Sequence, residues 1–327
     1  MTIDWDAKVL HSLTPVIENL KEIEINLEEI NNVADWLAYE EFASPLSHKS
    51  KKNPEQVIRT TLLINTLNFA FTDFKKSIKY EIEREGKILS DSEAMFTQIN
   101  ETIASGINLY DGEVLSSLDM NQLKKIFSGN IEMPMMSERI EILNEVGEKL
   151  SSTYKGDWMN FINQGPRKLY SEGEGLIERL IVEFPRFDDK SSIDDGQEVH
   201  FYKLAQLAFW GIHGELSGAG HFVVEDMEKM SAFADYIVPV ALEVMKIISY
   251  SDNLKNKIMN GEIIERDSIE EVEIRAVSLY ATAVLTQEVN KRRPLDKQII
   301  IPQLDYRLWK QYHATHRPHH LTITTMY

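Results

Sequence analysis

The sequence predicts a mainly α protein with one small β-hairpin, folded as a single helical domain over residues 1–327. Two observations carry that prediction. Apolar residues recur at intervals of three and four through most of the chain, which is the period of an amphipathic helix. Strict alternation of apolar and charged residues, the period of a strand, occurs in one stretch only, around Ile78, Tyr80 and Ile82.

The first 50 residues read as two short helices, the second capped by Asn26 with Leu27, Ile30, Val33, Ala34 and Leu37 on one stripe. Ala43-Ser44-Pro45-Leu46-Ser47-His48-Lys49-Ser50 is a loop by composition. Asn53-Pro54 then opens a strong helix, with Asn as cap and Pro in the first turn. It runs through Ile58, Leu62, Leu63 and Leu67 to Phe71 and is apolar nearly all round, which predicts a central position. In the hairpin, Glu85-Gly86 is the turn and Ile88-Leu89 the return strand. Another helix follows Asp91-Ser92 and ends near Gly106. Asp119 with Gln122 forms a capping box for a short helix that stops at Gly129. A longer helix follows Ser137, Asp157 opens a small one, and Ser171 with Glu174 opens one that stops before Pro185.

Phe184 to Gly196 reads as a polar loop, short for a domain linker. The next helix runs from His200 to about Ile212 and holds Lys203 among Phe201, Leu204, Ala205, Ala208 and Phe209. A lysine there can snorkel to solvent. Gly214, Gly218 and Gly220 separate it from Met230–Pro239, where a helix is expected to arrive, break and restart at Pro239. Ser268 with Glu271 is a further capping box, opening a long regular helix in which Glu271 and Arg275 form an ordinary i, i+4 ion pair. Leu304–Trp309 is one more amphipathic helix, and the β-branched tail is an extended segment laid on the body.

Composition narrows the chemistry. There are no cysteines, which excludes disulfides, thiolate catalysis and cysteine-ligated zinc and fits a cytoplasmic location. The N-terminus carries early acidic residues and no apolar signal core, so secretion is not expected. No apolar run approaches the roughly 18 residues of a membrane span. The net charge of −17 would repel a long polyanion, so a small molecule, in particular one with a cationic group, is a better partner than nucleic acid. His313, His316, His319 and His320 suggest a metal site at first sight, but Pro318 interrupts the series and no nearby carboxylate pair completes a shell. There is no phosphate-cradling Gly-Lys-Ser/Thr loop and no Gly-x-Ser-x-Gly elbow, and Gly218-Ala219-Gly220 is too short for a nucleotide fingerprint, so no cofactor is called for.

Asp235 is the candidate around which these features arrange themselves. It falls at the helix break, flanked by Phe233 and Tyr236. A carboxylate at such a point is either a helix cap or a catalytic group. Lys203 lies on the preceding helix. His48 is either a solvated loop side chain or a ligand contact.

These segments, taken together and in order, resemble the queuosine salvage protein family. The matching runs are Thr66-Leu67-Asn68-Phe69-Ala70-Phe71, Pro134 through Arg139 with Ile142–Gly147, Phe184-Pro185, and Phe201-Tyr202-Lys203-Leu204-Ala205-Gln206. They continue with Phe233-Ala234-Asp235-Tyr236, Tyr250-Ser251-Asp252, Glu271–Arg275, Leu304-Asp305-Tyr306 with Trp309, and Pro318, His320 and Tyr327. The resemblance implies an α-helical fold similar to DNA glycosylases. It also implies a hydrolase that cleaves the N-glycosidic bond of queuosine 5′-monophosphate and releases queuine for reuse in transfer RNA. By the matching motifs Asp235 would be the catalytic carboxylate and Lys203 an active-site lysine, either holding the 5′-phosphate or tuning Asp235. His48, Phe233, Tyr236 and Asp305 would contact the substrate. Thr72 stands where the family often has Trp. Two other readings compete: a glycosylase acting on a base within nucleic acid, and a non-catalytic nucleobase-binding protein that would keep Asp305 and the aromatics without requiring Asp235.

Overall fold

The computed structural model describes residues 2–44, 48–193, 196–315 and 317–327; Pro45–Ser47, Asp194–Asp195 and His316, which the loop and histidine readings included, lie outside them. Among the described residues there are fifteen α-helices, and the sheets are all two-stranded, so the protein is mainly α as its apolar spacing predicts.

The helix buried on every side is Ile269–Arg292, not Pro54–Leu67. Its faces serve two different cores. Val272, Ala276, Leu279 and Ala283, spaced by four, three and four, enter a large apolar cluster. Ile274, Val277, Ala281, Leu285 and Val289 enter a second one. Polar residues on this helix are satisfied from within: Thr282 Oγ1 donates to the carbonyl of Ser278 and Thr286 Oγ1 to that of Thr282, both at 2.7 Å. The larger cluster gathers the helices Pro54–Leu67, Asp91–Ala104, Met136–Tyr154, Leu176–Glu183 and Lys203–Leu216. The smaller one gathers Leu27–Leu37, Val238–Val244 and Ile301–Tyr312. Pro54–Leu67 buries one stripe (Ile58, Leu62, Leu63, Thr66, Leu67) against the first cluster and ends at Leu67, so Asn68–Phe71 is a corner rather than its last turn.

The expected hairpin is present as Glu81–Arg84 paired with Lys87–Ser90, and both turn residues, Glu85 and Gly86, have positive φ (52° and 74°) as a tight two-residue turn requires. Three further ribbons correct the single-hairpin expectation: Ile23–Ile25 with Ile248–Tyr250, Thr72–Asp73 with Ile78–Lys79, and Lys190–Ser192 with Glu198–His200. Strands of two or three residues are too short to show an alternating pattern. The helix expected from Ser171 begins instead after Gly175, because the Glu178 carboxylate takes the amides of both Ser171 and Gly175 and holds the intervening residues as a loop. Ser268 accepts from the Glu271 amide at 3.3 Å, but Glu271 does not close the box; its carboxylate turns to the Asp267 amide and the Tyr327 hydroxyl.

Candidate active site

Three charged side chains that the sequence singled out converge where the two apolar clusters meet. Lys203 is 8% exposed, Asp235 7% and Asp305 3%. Burying charge costs several kcal/mol unless partners or function compensate, so such a group marks a site more strongly than a solvated cluster does. That argument favours this seam over a wider cleft of about 850 Å³ whose lining includes the exposed Lys8, His11 and Glu198.

The loop that carries Asp235 is fixed at three points. Gln206, one turn into the Lys203–Leu216 helix and fully buried, exchanges hydrogen bonds with Ser231: its Oε1 accepts the Ser231 amide at 2.9 Å and its Nε2 donates to Ser231 Oγ at 2.9 Å. Asp305 Oδ1 accepts the Phe233 amide at 2.9 Å. Asp235 Oδ1 accepts the amides of Ile237 (2.9 Å) and Val238 (3.0 Å), at the start of the Val238–Val244 helix with Pro239 in its first turn. The expectation of a helix arriving before Asp235 is corrected here. A single 3₁₀ turn, Met227–Lys229, precedes the loop, and Met230–Asp235 is irregular backbone. Asp235 is therefore an amide-capping aspartate, and capping uses Oδ1 alone. Among the described residues no hydrogen bond occupies Oδ2.

Lys203 does not snorkel. It is the first residue of its helix, set by Tyr202 in the left-handed region (φ 46°), and its amide donates to Asp189 Oδ2 at 3.3 Å. Burial pushes its ammonium down, while Asp235 leads the carboxylates that pull it back up and Arg275 opposes them. Burial raises Asp305 well above the usual carboxylate range, and the Asp235 charge raises it further; the Phe233 amide and Lys203 act the other way. Phe233 is buried (5% exposed). Tyr236 stacks on His319 at 4.4 Å between ring centroids, and burial raises its phenol.

His48 is not brought to this group. It is exposed and pairs with Glu215 at 3.4 Å, alongside Lys52 at 3.2 Å. Glu215 lies twelve residues after Lys203 on the same helix, about 18 Å along its axis.

Beneath Lys203 lies a network of which the i, i+4 spacing showed one part, the Glu271–Arg275 pair. Arg275 donates to both oxygens of Asp189, at 3.0 and 2.5 Å, and lies 3.5 Å from Glu271; all three side chains are at most 2% exposed. The guanidinium also covers the Phe201 ring at 3.9 Å and that of Tyr327 at 4.5 Å. Tyr327 donates to Glu271 at 2.9 Å and lies 3.4 Å from His320, whose imidazole burial pushes down to about 3. The tail thus reaches under the site. Of the four histidines, His313 packs on Trp309, His319 on Tyr236 and His320 against Tyr327. Among the described residues no group of three His, Asp or Glu is arranged around a metal position. The Asn68–Phe71 motif lies at a different place and has a structural task. Arg139 donates to the carbonyls of Pro134, Leu67, Phe69 and Ala70, and Arg186 to that of Thr66, so the two guanidiniums enclose the Phe69 ring at 4.2 and 4.8 Å.

Two buried aspartates, a buried lysine and flanking aromatics thus come together on a helical scaffold. The model of the queuosine salvage protein family matches residues 47–327, and the chain belongs to that family. Proteins named queuosine 5′-phosphate N-glycosylase/hydrolase are similar to it along nearly their full length. The one from Sphaerobacter thermophilus is 26% identical over 326 residues, covering 98% of this chain and 97% of its own. The one from Mus musculus is 26% identical over 317 residues (92% and 91%), and that from Schizosaccharomyces pombe 24% over 330 residues (93% and 90%).

Proposed function

We propose that this protein hydrolyses the N-glycosidic bond of queuosine 5′-monophosphate in the cytoplasm, releasing queuine and ribose 5-phosphate. The observation that carries this reading is Asp235, pinned through Oδ1 with Oδ2 left for a ligand and set beside Lys203 and Asp305. Breaking a glycosidic bond builds positive charge on the ribose. A preorganised carboxylate stabilises that charge by several kcal/mol, and the same oxygen can orient or deprotonate the attacking water. Queuine is a 7-deazaguanine, so protonation at N7 cannot help it leave, and more of the work falls to Asp235. Phe233 and Tyr236 supply apolar surface for the base. Lys203, facing Asp235, Asp305 and Asp189, is better suited to balancing these carboxylates than to holding a phosphate. The charge of −17 favours a mononucleotide over an intact nucleic acid.

Asp305 is assigned to the secondary amine of queuine, which is cationic at neutral pH. In the free protein its raised pKa means that the folded chain holds a proton that the unfolded chain has released, so its contribution to stability falls as pH rises from about 4 through the raised value. Asp305→Asn keeps an acceptor for the Phe233 amide and has no charge to bury. It is expected to bind queuine about 10-fold or more weakly. It should also unfold at a higher temperature than the parent at pH 8, with the difference closing towards pH 4. Calorimetry and thermal scans at the two pH values check both, and equal melting shifts at pH 4 and pH 8 would count against the assignment.

Mass spectrometry of products tests the reaction itself. Queuine is expected from queuosine 5′-monophosphate and not from guanosine 5′-monophosphate. Tight queuine binding without release would favour a nucleobase carrier, and neither binding nor release would remove the reading altogether.

A further inference from the structure

We propose that Gln206 is the positioning residue that sets Asp235 against Lys203. This inference rests on the hydrolase reading above. Residues 230–235 carry Asp235 without belonging to any helix or strand, and Ser231, Ala232 and Ala234 have no exposure. Buried backbone of this kind has neither a ladder nor water to hold it, so its place is set by the side chains that take its amides. Two side chains from elsewhere do so. Gln206 Oε1 takes the Ser231 amide and Asp305 Oδ1 the Phe233 amide, both at 2.9 Å. They come from different elements: Asp305 from the helix Ile301–Tyr312, and Gln206 from the helix that Lys203 opens.

The Gln206 amide is used on both sides. Its Nε2 donates to the Phe201 carbonyl and to Ser231 Oγ, each at 2.9 Å, and that hydroxyl donates in turn to the Ala232 carbonyl at 2.8 Å. Phe201 lies two residues before Lys203, and Ser231 four before Asp235. One planar side chain therefore joins the turn that presents the lysine to the loop that presents the carboxylate. A fully satisfied buried amide of this kind specifies a single arrangement of the parts it connects. Its two donors are spent inside the protein, so Gln206 acts through Asp235 and Lys203 and not on the substrate. The chemistry is sensitive to such placement, since a shift of about 1 Å in a reacting group costs on the order of 10²-fold in rate. Losing the Gln206 tether would move Asp235 relative to Lys203 while Asp305 still holds Phe233, so turnover and queuine affinity are expected to part company.

Gln206→Glu tests this with almost no change of shape. As a carboxylic acid, glutamate keeps an acceptor for the Ser231 amide and an O–H for the Phe201 carbonyl; once ionised it has no donor and turns a negative charge on that carbonyl. Burial keeps the acid form at low pH. The charged groups around the position are Lys203 on the same helix, Asp189 and Arg275 at the Phe201–Lys203 turn, and Asp235 and Asp305 at the loop. All are present in the parent, so the ratio of variant to parent at each pH removes their own titration. The kcat is expected to fall about 10-fold or more at pH 8 and to return to within about three-fold of the parent at pH 5, with queuine affinity by calorimetry within about three-fold throughout. Ser231→Ala removes only the hydroxyl and is expected to fold, to lower kcat about three-fold and to bind queuine as the parent does; it decides the matter if the glutamate variant does not fold at pH 8. A part in folding alone would lower the melting temperature and leave kcat per folded molecule at the parent value. That result in either variant overturns the proposal, as does a Gln206→Glu deficit that is equal at pH 5 and pH 8, or a loss of queuine affinity in step with kcat. If the parent itself releases no queuine, the hydrolase reading falls and takes this inference with it; release by the parent with the variants unchanged removes this inference alone.

Discussion

Asp235→Asn is expected to lower turnover of queuosine 5′-monophosphate by about 10²-fold or more while queuine still binds. Asparagine is the informative replacement because capping occupies Oδ1, whereas the proposed chemistry falls to Oδ2. Oδ1 receives the Ile237 and Val238 amides and shapes the start of the following helix. An asparagine oxygen accepts the same two bonds, so the loop between Phe233 and Val238 keeps its geometry. What disappears is the negative charge. Asp235→Ala removes both, and losing such a cap alone costs about 1 kcal/mol. The pair of variants therefore separates folding from chemistry. Asn should match the parent in melting temperature and fail in turnover, whereas Ala should lose on both counts. Steady-state kinetics beside thermal scans read this directly, and an Asn variant within three-fold of the parent kcat would mean that the carboxylate is only a cap.

The sequence left Asp235 open between cap and catalyst because residue type and position suit both. The hydrogen-bond directions show the cap: one oxygen is committed, and among the described residues no hydrogen bond occupies the other. Helices were legible because their caps are local: Asn26, Asn53, Asp119 and Asp157 each cap the helix their residue types announce. Partners distant in sequence were not. Ile23–Ile25 pairs with Ile248–Tyr250, and nothing in either tripeptide points to the other. Asp189 sat in a run read as polar loop; the i, i+4 spacing gave the Arg275–Glu271 pair, which is present, but not the bidentate partner Asp189. A signal that this pair is buried rather than an ordinary surface pair was present. Val272, Ile274, Ala276 and Val277 place apolar residues on every side of the helix, which leaves a charged pair there no surface to occupy. The same all-round burial would have marked Ile269–Arg292 rather than Pro54–Leu67 as central.

Arg275→Met is the change expected to damage the fold and the site together. It leaves Asp189 and Glu271 as neighbouring carboxyl groups with almost no exposure and no cation between them. Breaking a buried pair in this way costs about 3–5 kcal/mol, about 4–7 °C of melting temperature in a chain of this size. The damage spreads to catalysis because Asp189 also holds the turn that presents Lys203. Its carbonyl accepts the Phe201 and Tyr202 amides at 2.9 and 3.0 Å, and its carboxylate the Lys203 amide. The loss should depend on pH in a defined direction. Orphaned buried carboxyls hold protons that the unfolded chain has released, so the deficit against the parent grows as pH rises from about 5 to 8. Replacing the partner as well, Asp189→Asn with Arg275→Met, removes one of the stranded charges. The double variant should therefore be more stable than the sum of the single changes predicts, by an amount a double-mutant cycle measures. Activity should not return with stability, since the Lys203 turn has lost its charged anchor. Additive single effects, with no pH dependence, would show instead that Arg275 serves through its packing on Phe201 and Tyr327 and that the ion pair contributes little.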